Sequence, residues 1–470
     1  MYQDNRKPIK KVPMLEPGNI RIIPLGGVEE IGKNMTAIEI GDDIIVIDIG
    51  LAFPTEDMPG VDYLIPDTAY LEENKARVRG VIITHGHLDH TGGIPYVMNR
   101  IGNPPLYTRN LTALFVKKRM AEFPHLPALN IITVENDSKI KIGNIAVRFF
   151  GVTHTIPDSM GVIIDTPYGM LVNPGDFKLD LDGVDGKPTE IEEKTYNALA
   201  EGKVLLLMSD STNIENPGFS VPERETHKNL EEIIKNIKGR LIIGTFASQL
   251  ERMIKIIGVV EKYHRKLVIE GRSMKTNVEV ATLAGMLTIG KGTLINATEI
   301  GSYPDDKIVV LATGAQGEEF AALMRMATKT HKFLRFKKGD TVLLSSSIIP
   351  GNEITVQKLK DNIARQGAKI ISYRTSEVYI HSSGHGNRGE IEWLHRKLKP
   401  KFFIPIHGSH HKLRLHAELA LEIGMPENHI IVPDNGSVIE LINHGEAMVL
   451  LKEKVSSNLI MVDGMGKNNV

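Results

Sequence analysis

Residues 81–95 read VIITHGHLDHTGGIP, an apolar run followed by three histidines and one aspartate within six positions. The apolar run predicts a β-strand that ends in a tight loop, where alternate side chains point to the same side. His85 and His87 can then share one metal ion, while Asp89 and His90 face a second position nearby. Imidazole and carboxylate groups suit Zn²⁺ or Mn²⁺. The pattern H-x-H-x-D-H therefore predicts a metal site rather than a polar turn that happens to be rich in histidine.

A two-metal site needs more ligands than this loop supplies, and three candidates lie downstream, each at the end of an apolar run. They are His154 in GVTHTIPDS, Asp176 in LVNPGDFK and His407 in FFIPIHGSH. A carboxylate such as Asp176 can bridge two cations and hold a hydroxide between them. Each residue taken alone is equally compatible with a structural role, but the set completes two coordination shells.

The composition limits the class of protein. The chain has 470 residues, enough for two or more domains with cores of their own. Its net charge of −1 means that any surface that binds a polyanion must be a local patch. The absence of cysteine excludes disulfides, thiolate ligands and a cysteine nucleophile. The N-terminus lacks the apolar segment of a signal peptide, and no apolar run reaches the roughly 18 residues of a membrane helix. We therefore expect a cytoplasmic protein without a membrane segment.

The order of sequence patterns predicts one domain inserted into another. Short apolar runs follow one another as far as the region near Pro217, as expected for a sheet of adjacent strands. Strands then alternate with helical patterns, which indicates βαβ units and a parallel sheet. The strand-rich pattern resumes after about residue 375. The predicted segments are a flexible N-terminal tail (1–18), the first part of the outer domain (19–217), the inserted domain (218–375), the second part of the outer domain (376–451) and a linker (452–470).

The motifs that carry a family resemblance extend from about residue 20 to 465. THGHLDHTGG, with His154, Asp176 and His407, is similar to the metallo-β-lactamase superfamily. The inserted block resembles the β-CASP module of its nucleic-acid-processing branch, and Asp210 in SDSTN and His385 in HSSGHG match further motifs of that branch. Within that branch the chain most resembles ribonuclease J, through LGGVEEIGKN, IDIGLAFP, HTIPDS, PGDFK, TFAS, GRSM and SSSIIPGNE. The resemblance implies the α/β (α+β sandwich) class: a metallo-β-lactamase αββα fold with an inserted parallel α/β β-CASP domain.

The resemblance also implies an activity. Ribonuclease J proteins are metal-dependent hydrolases of RNA phosphodiester bonds. They act as 5′→3′ exonucleases on single-stranded RNA with a 5′ monophosphate, and they also cut internally. We therefore expect a ribonuclease with two divalent cations, Zn²⁺ or Mn²⁺, that works in rRNA maturation and mRNA turnover. A histidine at the third motif of the branch, here His407, goes with RNA rather than DNA substrates.

The metal ligands follow from the matched motifs, residue by residue. The resemblance assigns one metal to His85, His87 and His154, the other to Asp89, His90 and His407, and the bridging position to Asp176. Asp48, in VIDIG, corresponds to the family's first aspartate. We expect it to orient a ligand from behind rather than to bind metal. The alternative for Asp48 is a turn residue at a strand end.

The remaining motifs supply a proton donor and RNA contacts. The resemblance makes His385 the general acid for the leaving 3′ oxygen, oriented by Asp210. The segment HSSGH is expected to contact RNA through His381, Ser382, Ser383, Gly384 and His385. Candidate phosphate contacts in the insert are the serines of SSSIIPGNE and the side chains of Arg252, Arg272 and Lys275, although capping serines and solvated charges are the alternative.

Two departures from the family pattern bear on these expectations. Family members often have Glu-Tyr-Arg after the His-Gly pair of the last motif, whereas Ser409, His410 and His411 follow Gly408 here. We expect His410, His411 and His416 to be surface or packing residues. Family members also continue into a small C-terminal domain that aids dimerisation, so we expect a homodimer, weakened if that domain is truly absent. An extra calcium site of the family would fall on Asp62 and Asp463, for which exposed turn aspartates are the alternative.

Two other functions share part of this pattern. A metallo-β-lactamase-fold hydrolase of a small ester or thioester would keep H-x-H-x-D-H, but it would not need the insert or the pair Asp210 and His385. A non-catalytic RNA-binding scaffold would be expected to have lost ligands, whereas the ligand set here is complete. A measurement of metal content separates the scaffold from both enzymes.

Overall fold

The computed structural model describes residues 12–54, 58–181, 188–316, 321–349, 351–463 and 468–469. The first part of the outer domain contains β1 (Ile20–Gly26), β2 (Val28–Glu29), β3 (Met35–Ile40), β4 (Asp43–Ile47), β5 (Tyr63–Ile65), α1 (Ala69–Glu73), β6 (Val78–Ile82), α2 (Leu88–Thr91), α3 (Ile94–Val97), β7 (Leu106–Thr108), α4 (Asn110–Met120), β8 (Ile131–Thr133), β9 (Lys139–Ile142), β10 (Ile145–Gly151), β11 (Met160–Thr166), β12 (Gly169–Asn173), α5 (Glu190–Ala200) and β13 (Val204–Asp210).

The insert and the second part of the outer domain follow in chain order. The insert contains α6 (Glu223–Asn236), β14 (Leu241–Gly244), α7 (Leu250–Lys262), β15 (Lys266–Glu270), α8 (Arg272–Leu283), β16 (Ile308–Ala312), α9 (Ala322–Ala327), β17 (Thr341–Leu344), α10 (Glu353–Ala364) and β18 (Lys369–Ser372). The second part contains α11 (Arg388–Leu398), β19 (Phe402–Ile406), β20 (Gly408–Ser409), α12 (His410–Glu422), β21 (Ser437–Ile442), β22 (Ala447–Lys454), β23 (Ile460–Val462) and β24 (Asn468–Asn469). Short 3-10 helices lie at Lys75–Arg77, Ala297–Ser302, Asp305–Lys307 and Glu427–His429.

Two packed sheets form the outer domain. One has the order β22-β21-β1-β3-β4-β6-β7-β8 and the other the order β19-β13-β12-β11-β10-β9. Ile22 and Ile38 of the first sheet share one apolar core with Leu206 and Ile404 of the second. The central strands are buried on both faces, which explains why β1 and β13 read as near-continuous apolar runs.

Helices cover the outer faces of both sheets. The first sheet packs its other face on residues of α3 and α4, such as Val97 and Val116. The second sheet packs on α5, α11 and α12, represented by Tyr196, Leu394 and Leu419. The four layers are therefore helix, sheet, sheet, helix, and the αββα arrangement predicted from the sequence is confirmed.

The insert is a parallel five-stranded sheet of order β15-β16-β14-β17-β18 with helices on both faces. β14 comes first in the chain but lies between β16 and β17. The connection after β14 leads to β15 on one side, whereas the connection after its neighbour β17 leads to β18 on the other. Such a change of direction opens a crevice at the carboxyl ends of the strands, where ligands of α/β proteins bind. The residues at this edge are 245–248 after β14 and 345–347 after β17.

The chain returns to the outer domain beside the strand that it left. β19 pairs in parallel with β13, and β21 pairs with β1 at the other sheet. The segment predicted as a linker from residue 452 continues β22 to Lys454 and adds β23, which pairs with β5. Of the predicted N-terminal tail, residues 1–11 lie outside the described residues. Among the described residues, no helix has both the length and the apolar character to cross a membrane.

Candidate metal centre

The loop after β6 and the short helix α2 are held in place by the backbone of two neighbouring segments. The amide N–H groups of Asn34 and Ile49 donate to the carbonyl oxygens of Asp89 and His90, at 3.0 and 2.9 Å. Gly50 lies against the same loop, and a Cβ atom there would lie 1.7 Å from the carbonyl oxygen of Asp89. Only glycine fits at such a distance, so the stretches LGGVEEIGKN and IDIGLAFP fix the shape of the histidine loop.

A first cluster of ligand atoms joins this loop to the turn after β10. His87 Nδ1 lies 3.1 Å from His85 Nε2 and 3.2 Å from His154 Nε2. Oδ2 of Asp176, in the turn after β12, is 3.7 Å from His85 Nε2 and 3.9 Å from His154 Nε2. The four ligand atoms lie within 4.8 Å of one another, a spacing at which they could hold one cation.

A second cluster adjoins the first through Asp176. Oδ2 of Asp176 lies 3.2 Å from His90 Nε2, and Asp89 Oδ2 lies 3.2 Å from His407 Nε2. His407 follows β19, on the far side of the insert in the sequence. The structure therefore brings together all seven predicted ligands in two groups that share Asp176, and a further group joins Asp176 and His407 to Asp210 and His385.

Asp48 lies behind the second cluster. Its Oδ2 is 2.7 Å from His90 Nδ1, the nitrogen that faces away from Asp176, and Oδ1 accepts the backbone N–H of Thr84 at 2.8 Å. Asp48 has a φ of 61°, a left-handed conformation that costs free energy for a residue other than glycine. This geometry suits the predicted role, which is to orient His90 by bonding its outer nitrogen.

Sequence reasoning missed several partners of the other imidazoles. Thr212 Oγ1 lies 2.7 Å from His407 Nδ1, and His154 Nδ1 lies 2.7 Å from the carbonyl oxygen of Gly384. His87 Nε2 lies 3.1 Å from the carbonyl oxygen of Ser248, in the insert. The strings SDSTN and TFAS, which contain Thr212 and Ser248, were the available signal. Backbone carbonyl groups leave no residue-type signature, so their role could not be read from the sequence.

The predicted acid and its orienting aspartate form a close pair beside the clusters. His385 Nδ1 lies 2.6 Å from Asp210 Oδ2, and His385 Nε2 lies 3.9 Å from Asp176 Oδ2. The ring of His385 stacks on that of His407, with centroids 5.4 Å apart. Burial opposes protonation of His385, but Asp210 and Asp176 outweigh it and raise the pKa of this imidazole.

The electrostatics of the two clusters differ: the pKa values of the histidines are lowered in the first cluster and raised in the second. Burial lowers the pKa of His85 and of His154 well below 6.5, so both imidazoles are neutral and able to act as ligands. Burial also opposes charge on His407, but Asp176 and neighbouring carboxylates raise its pKa to about 10. The field that attracts a proton to His407 equally favours a bound cation. The donor set and its charge thus fit divalent metal ions.

The segment predicted to contact RNA forms part of this assembly. Ser382 is buried, and its hydroxyl donates to the carbonyl oxygen of Val221 at 2.6 Å. Ser383 Oγ accepts from the side-chain amide of Asn213, and His381 Nδ1 lies 2.8 Å from a guanidinium nitrogen of Arg252. Arg252 is itself 2% exposed, so its guanidinium is not available at the surface as a phosphate contact. Burial lowers the pKa of His381 to about 3.

The remaining nominated residues lie away from the two clusters. The backbone N–H of Asp62 donates to the carbonyl oxygen of Val462 at 2.9 Å, which brings Asp62 and Asp463 to neighbouring ends of paired strands. Residues 464–467 lie outside the described residues, and a calcium site at this place stays a prediction. His410 and His411 are exposed at the start of α12, whereas His416 is buried against Phe403.

Comparisons with known proteins give one consistent result. Family profiles match residues 29–199 as "Metallo-beta-lactamase superfamily", 238–363 as "Ribonuclease J, beta-CASP domain" and 374–433 as "Zn-dependent metallo-hydrolase RNA specificity domain". Ribonuclease J 1 of Streptococcus pyogenes is 36% identical over 97% of this chain and 80% of its own length. Ribonuclease J 2 of Staphylococcus aureus is 36% identical over 96% and 80%.

A solved structure with low sequence identity to this chain has a similar fold. A protein of unknown function from Enterococcus faecalis V583 superposes with a TM-score of 0.63 at 17% identity, over 90% of this chain and 100% of the other. A metallo-β-lactamase fold implies divalent metal binding, which the two ligand clusters are built to accept. With identity of this extent over nearly its whole length, the chain belongs to the ribonuclease J family.

Proposed function

We propose that the protein is a metal-dependent ribonuclease that hydrolyses RNA phosphodiester bonds. In this proposal it acts 5′→3′ from 5′-monophosphorylated ends of single-stranded RNA and also cleaves internally. One observation carries the proposal. Two adjoining ligand clusters that share Asp176 lie beside the pair Asp210 and His385, in a chain 36% identical to ribonuclease J relatives over nearly its full length.

The metal ions in this proposal are two divalent cations, Zn²⁺ or Mn²⁺. His85, His87 and His154 would hold one, Asp89, His90 and His407 the other, and Asp176 would contact both. When bound, such a pair of cations supplies a hydroxide at neutral pH and neutralises charge on the phosphate.

The protein groups around the clusters orient the ligands and supply the proton. Asp48 fixes the ring of His90 from behind, and Thr212 does the same for His407. Asp210 holds Nδ1 of His385, so that Nε2 faces the cluster edge marked by Asp176. From that position, Nε2 donates its proton to the leaving 3′ oxygen of the scissile bond.

The substrate path runs between the two domains. The carboxyl edge of the insert's sheet, residues 245–248 and 345–347, lies on one side of the clusters, and the segment 381–385 lies beside His154. Serine hydroxyls and backbone N–H groups in these segments suit a phosphate backbone. We further propose a cytoplasmic homodimer that acts in rRNA maturation and mRNA turnover, with the domains divided near residues 217 and 375.

The test uses one RNA oligomer, labelled at either end and prepared with a 5′ monophosphate or a 5′ triphosphate. Each form is incubated with the purified protein and Mn²⁺ or Zn²⁺, beside the double variant Asp89→Ala/His90→Ala. We expect mononucleotides from the monophosphate form, and none from the double variant, which lacks two ligands of the second cluster.

The products distinguish the alternatives. Internal fragments that do not depend on the 5′ end would make the protein chiefly an endonuclease. If intact protein with metal bound leaves both RNA forms uncut, the ribonuclease proposal is wrong. A small ester hydrolase would then be tested on ester and thioester substrates, and a scaffold by RNA binding without cleavage.

A further inference from the structure

The two metal clusters differ in which part of the molecule supports them. In the second cluster, the outer nitrogens of His90 and His407 bond to Asp48 and Thr212, which both belong to the outer domain. In the first cluster, His87 Nε2 lies 3.1 Å from the carbonyl oxygen of Ser248, which belongs to the insert. The first cluster alone therefore takes support from across the domain boundary.

His154 depends on the same boundary. Two positions after it, Ile156 packs in the apolar core of the insert, with Leu250 and Met253. Its outer nitrogen, Nδ1, lies 2.7 Å from the carbonyl oxygen of Gly384, at the point where the chain returns from the insert. A Cβ atom at Gly384 would lie 2.7 Å from Cε1 of the His154 ring, so a larger residue at this position would displace the ring.

A buried ion network links these segments through one carboxylate. Oε1 of Glu223, at the start of α6, lies 3.2 Å from Lys178 Nζ and 2.8 Å from Arg252 Nη2. Lys178 follows Asp176 by two positions in the outer domain, and Arg252 follows Ser248 by four in the insert. The side chains of Lys178 and Arg252 are both almost fully buried.

The same two basic side chains also bind the segment that precedes His385. Lys178 Nζ donates to Ser382 Oγ at 3.1 Å and to the carbonyl oxygen of Ser383 at 3.0 Å. Arg252 Nη2 donates to the carbonyl oxygen of Ser382 at 3.0 Å. Glu223 thus neutralises two buried charges that together fix the outer domain, the insert and the return segment.

We propose that Glu223 is a positioning residue for the first metal cluster, which makes cation affinity at His85, His87 and His154 depend on the docking of the insert. The second cluster is linked to that docking only through the shared Asp176, because the outer partners of His90 and His407 belong to the outer domain. The reason is that loss of the outer partner of a histidine ligand lowers metal affinity by about 10- to 100-fold. Without the charge of Glu223, Lys178 and Arg252 lose the carboxylate that pairs with both of them, and the segments that they join separate.

This inference rests on the metal-binding part of the proposed function, and it is tested by cation binding rather than by activity. Metal-free protein is titrated with Zn²⁺ in the presence of a competing chelator, which resolves two binding steps. Two reference variants assign them: His87→Ala removes a ligand of the first cluster, and Asp48→Asn removes the outer partner of His90 in the second.

Glu223→Gln is the test variant, since it removes the charge and keeps the size of the side chain. We expect the first-cluster step to weaken by about 10- to 100-fold and the second-cluster step to stay within a factor of about two of the wild type. Lys178→Met is a second variant, which should weaken the same step and keeps the inference testable if Glu223→Gln does not fold.

Asp340→Asn is the matched control. Asp340 forms a buried ion pair with Arg240 at 2.6 Å inside the insert, so its loss destabilises the protein without touching the boundary. We expect both binding steps of this variant to match the wild type. The inference is overturned if Glu223→Gln binds both cations normally, or if it and Asp340→Asn weaken both steps alike. A wild type that binds fewer than two cations would instead overturn the proposed two-metal centre itself.

Discussion

The protonation and orientation of each histidine in the site depend on the group that bonds its outer ring nitrogen. His385 has a raised pKa because the nearby carboxylates of Asp210 and Asp176 outweigh the effect of burial. His90 and His407 present one nitrogen to the cluster because Asp48 and Thr212 bond the other. Each histidine therefore acts together with a partner residue. The sequence motifs identify the histidine more readily than its partner.

Replacement of His385 by alanine tests the assigned proton donor. We expect His385→Ala to lower kcat on a 5′-monophosphorylated RNA by about 10²- to 10⁴-fold, the usual contribution of general acid catalysis. The number of bound cations should not change if the two ions occupy the two sets predicted from the sequence, although His385 also lies with Asp176, Asp210 and His407 in a group that could hold a metal ion. Single-turnover kinetics and metal analysis of the same sample measure the two quantities.

An exposed histidine supplies the control for that substitution. His411, at the start of α12, is largely exposed, so His411→Ala should keep the wild-type kcat. A kcat within twofold of the wild type for His385→Ala would rule out its role as the acid. A loss of bound metal in that variant would show instead that His385 supports a ligand.

The residues of the two clusters could be picked out from the sequence because their types and spacing are typical of metal sites. His85 to His90 and Asp176 are found where the H-x-H-x-D-H pattern and the PGDFK string indicate. Arg252 shows the opposite case, since a cationic residue in a helix predicts an exposed phosphate contact as readily as a buried ion pair. Its surroundings come from segments 29 and 130 positions away, Glu223 and Ser382, which only the folded chain brings near.

At the scale of elements, strand ends position the chemistry. Asp48, His85, Asp176, Asp210 and His407 all follow or end strands of the outer domain, so the sheets act as rigid supports for short loops. Parallel pairing of β13 with β19 brings Asp210 opposite Ile406, next to His407. The predicted strands gave this arrangement correctly in outline. The pairing of β23 with β5 was missed, because a three-residue strand carries too little periodicity to be recognised.

A single buried side chain in the insert tests the assigned apolar core. Ile243 is fully buried in β14, so we expect Ile243→Ala to lower the free energy of unfolding by about 2–5 kcal/mol, through lost burial and a residual cavity. Urea unfolding of metal-free protein measures the change. Ile354 on α10 is 71% exposed, and Ile354→Ala should stay within about 0.5 kcal/mol of the wild type. Equal losses for the two variants would contradict the assigned core.

At the scale of the whole molecule, the two domains are joined by buried charge as well as by apolar packing. Glu223 faces Lys178, Arg252 and His227, and it is the only one of the four that carries negative charge. Burial opposes ionisation of Glu223, but Lys178 and Arg252 outweigh it and lower its pKa from 4.5 to about 2. The junction is therefore sensitive to acid.

The sign of this sensitivity follows from the direction of the shift. A carboxyl group whose pKa is lower in the folded protein stabilises it fully above the unfolded pKa of 4.5, and that contribution is lost as the pH falls toward 2. We expect the difference in free energy of unfolding between wild type and Glu223→Gln to be constant above pH 4.5 and to shrink below it. Chemical unfolding of metal-free protein across this pH range measures the difference.

A surface carboxylate provides the comparison for the acid series. Glu392 forms an ion pair with Arg396 at the surface of α11, and Glu392→Gln should differ little from the wild type at any pH, because exposed pairs contribute little. If the Glu223→Gln difference were as small and as independent of pH, the junction would not depend on this carboxylate.

The order of the ligands along the chain matters while the protein is being made. His85, His87, His154 and Asp176 precede the insert, whereas His385 and His407 follow it. A ribosome that is still synthesising the insert therefore carries a chain that lacks His407 of the second cluster and His385, the proposed proton donor. Since the template of that ribosome is itself a single-stranded RNA, the nascent protein would, under the proposed function, lack residues needed for cleavage until position 407 has been added.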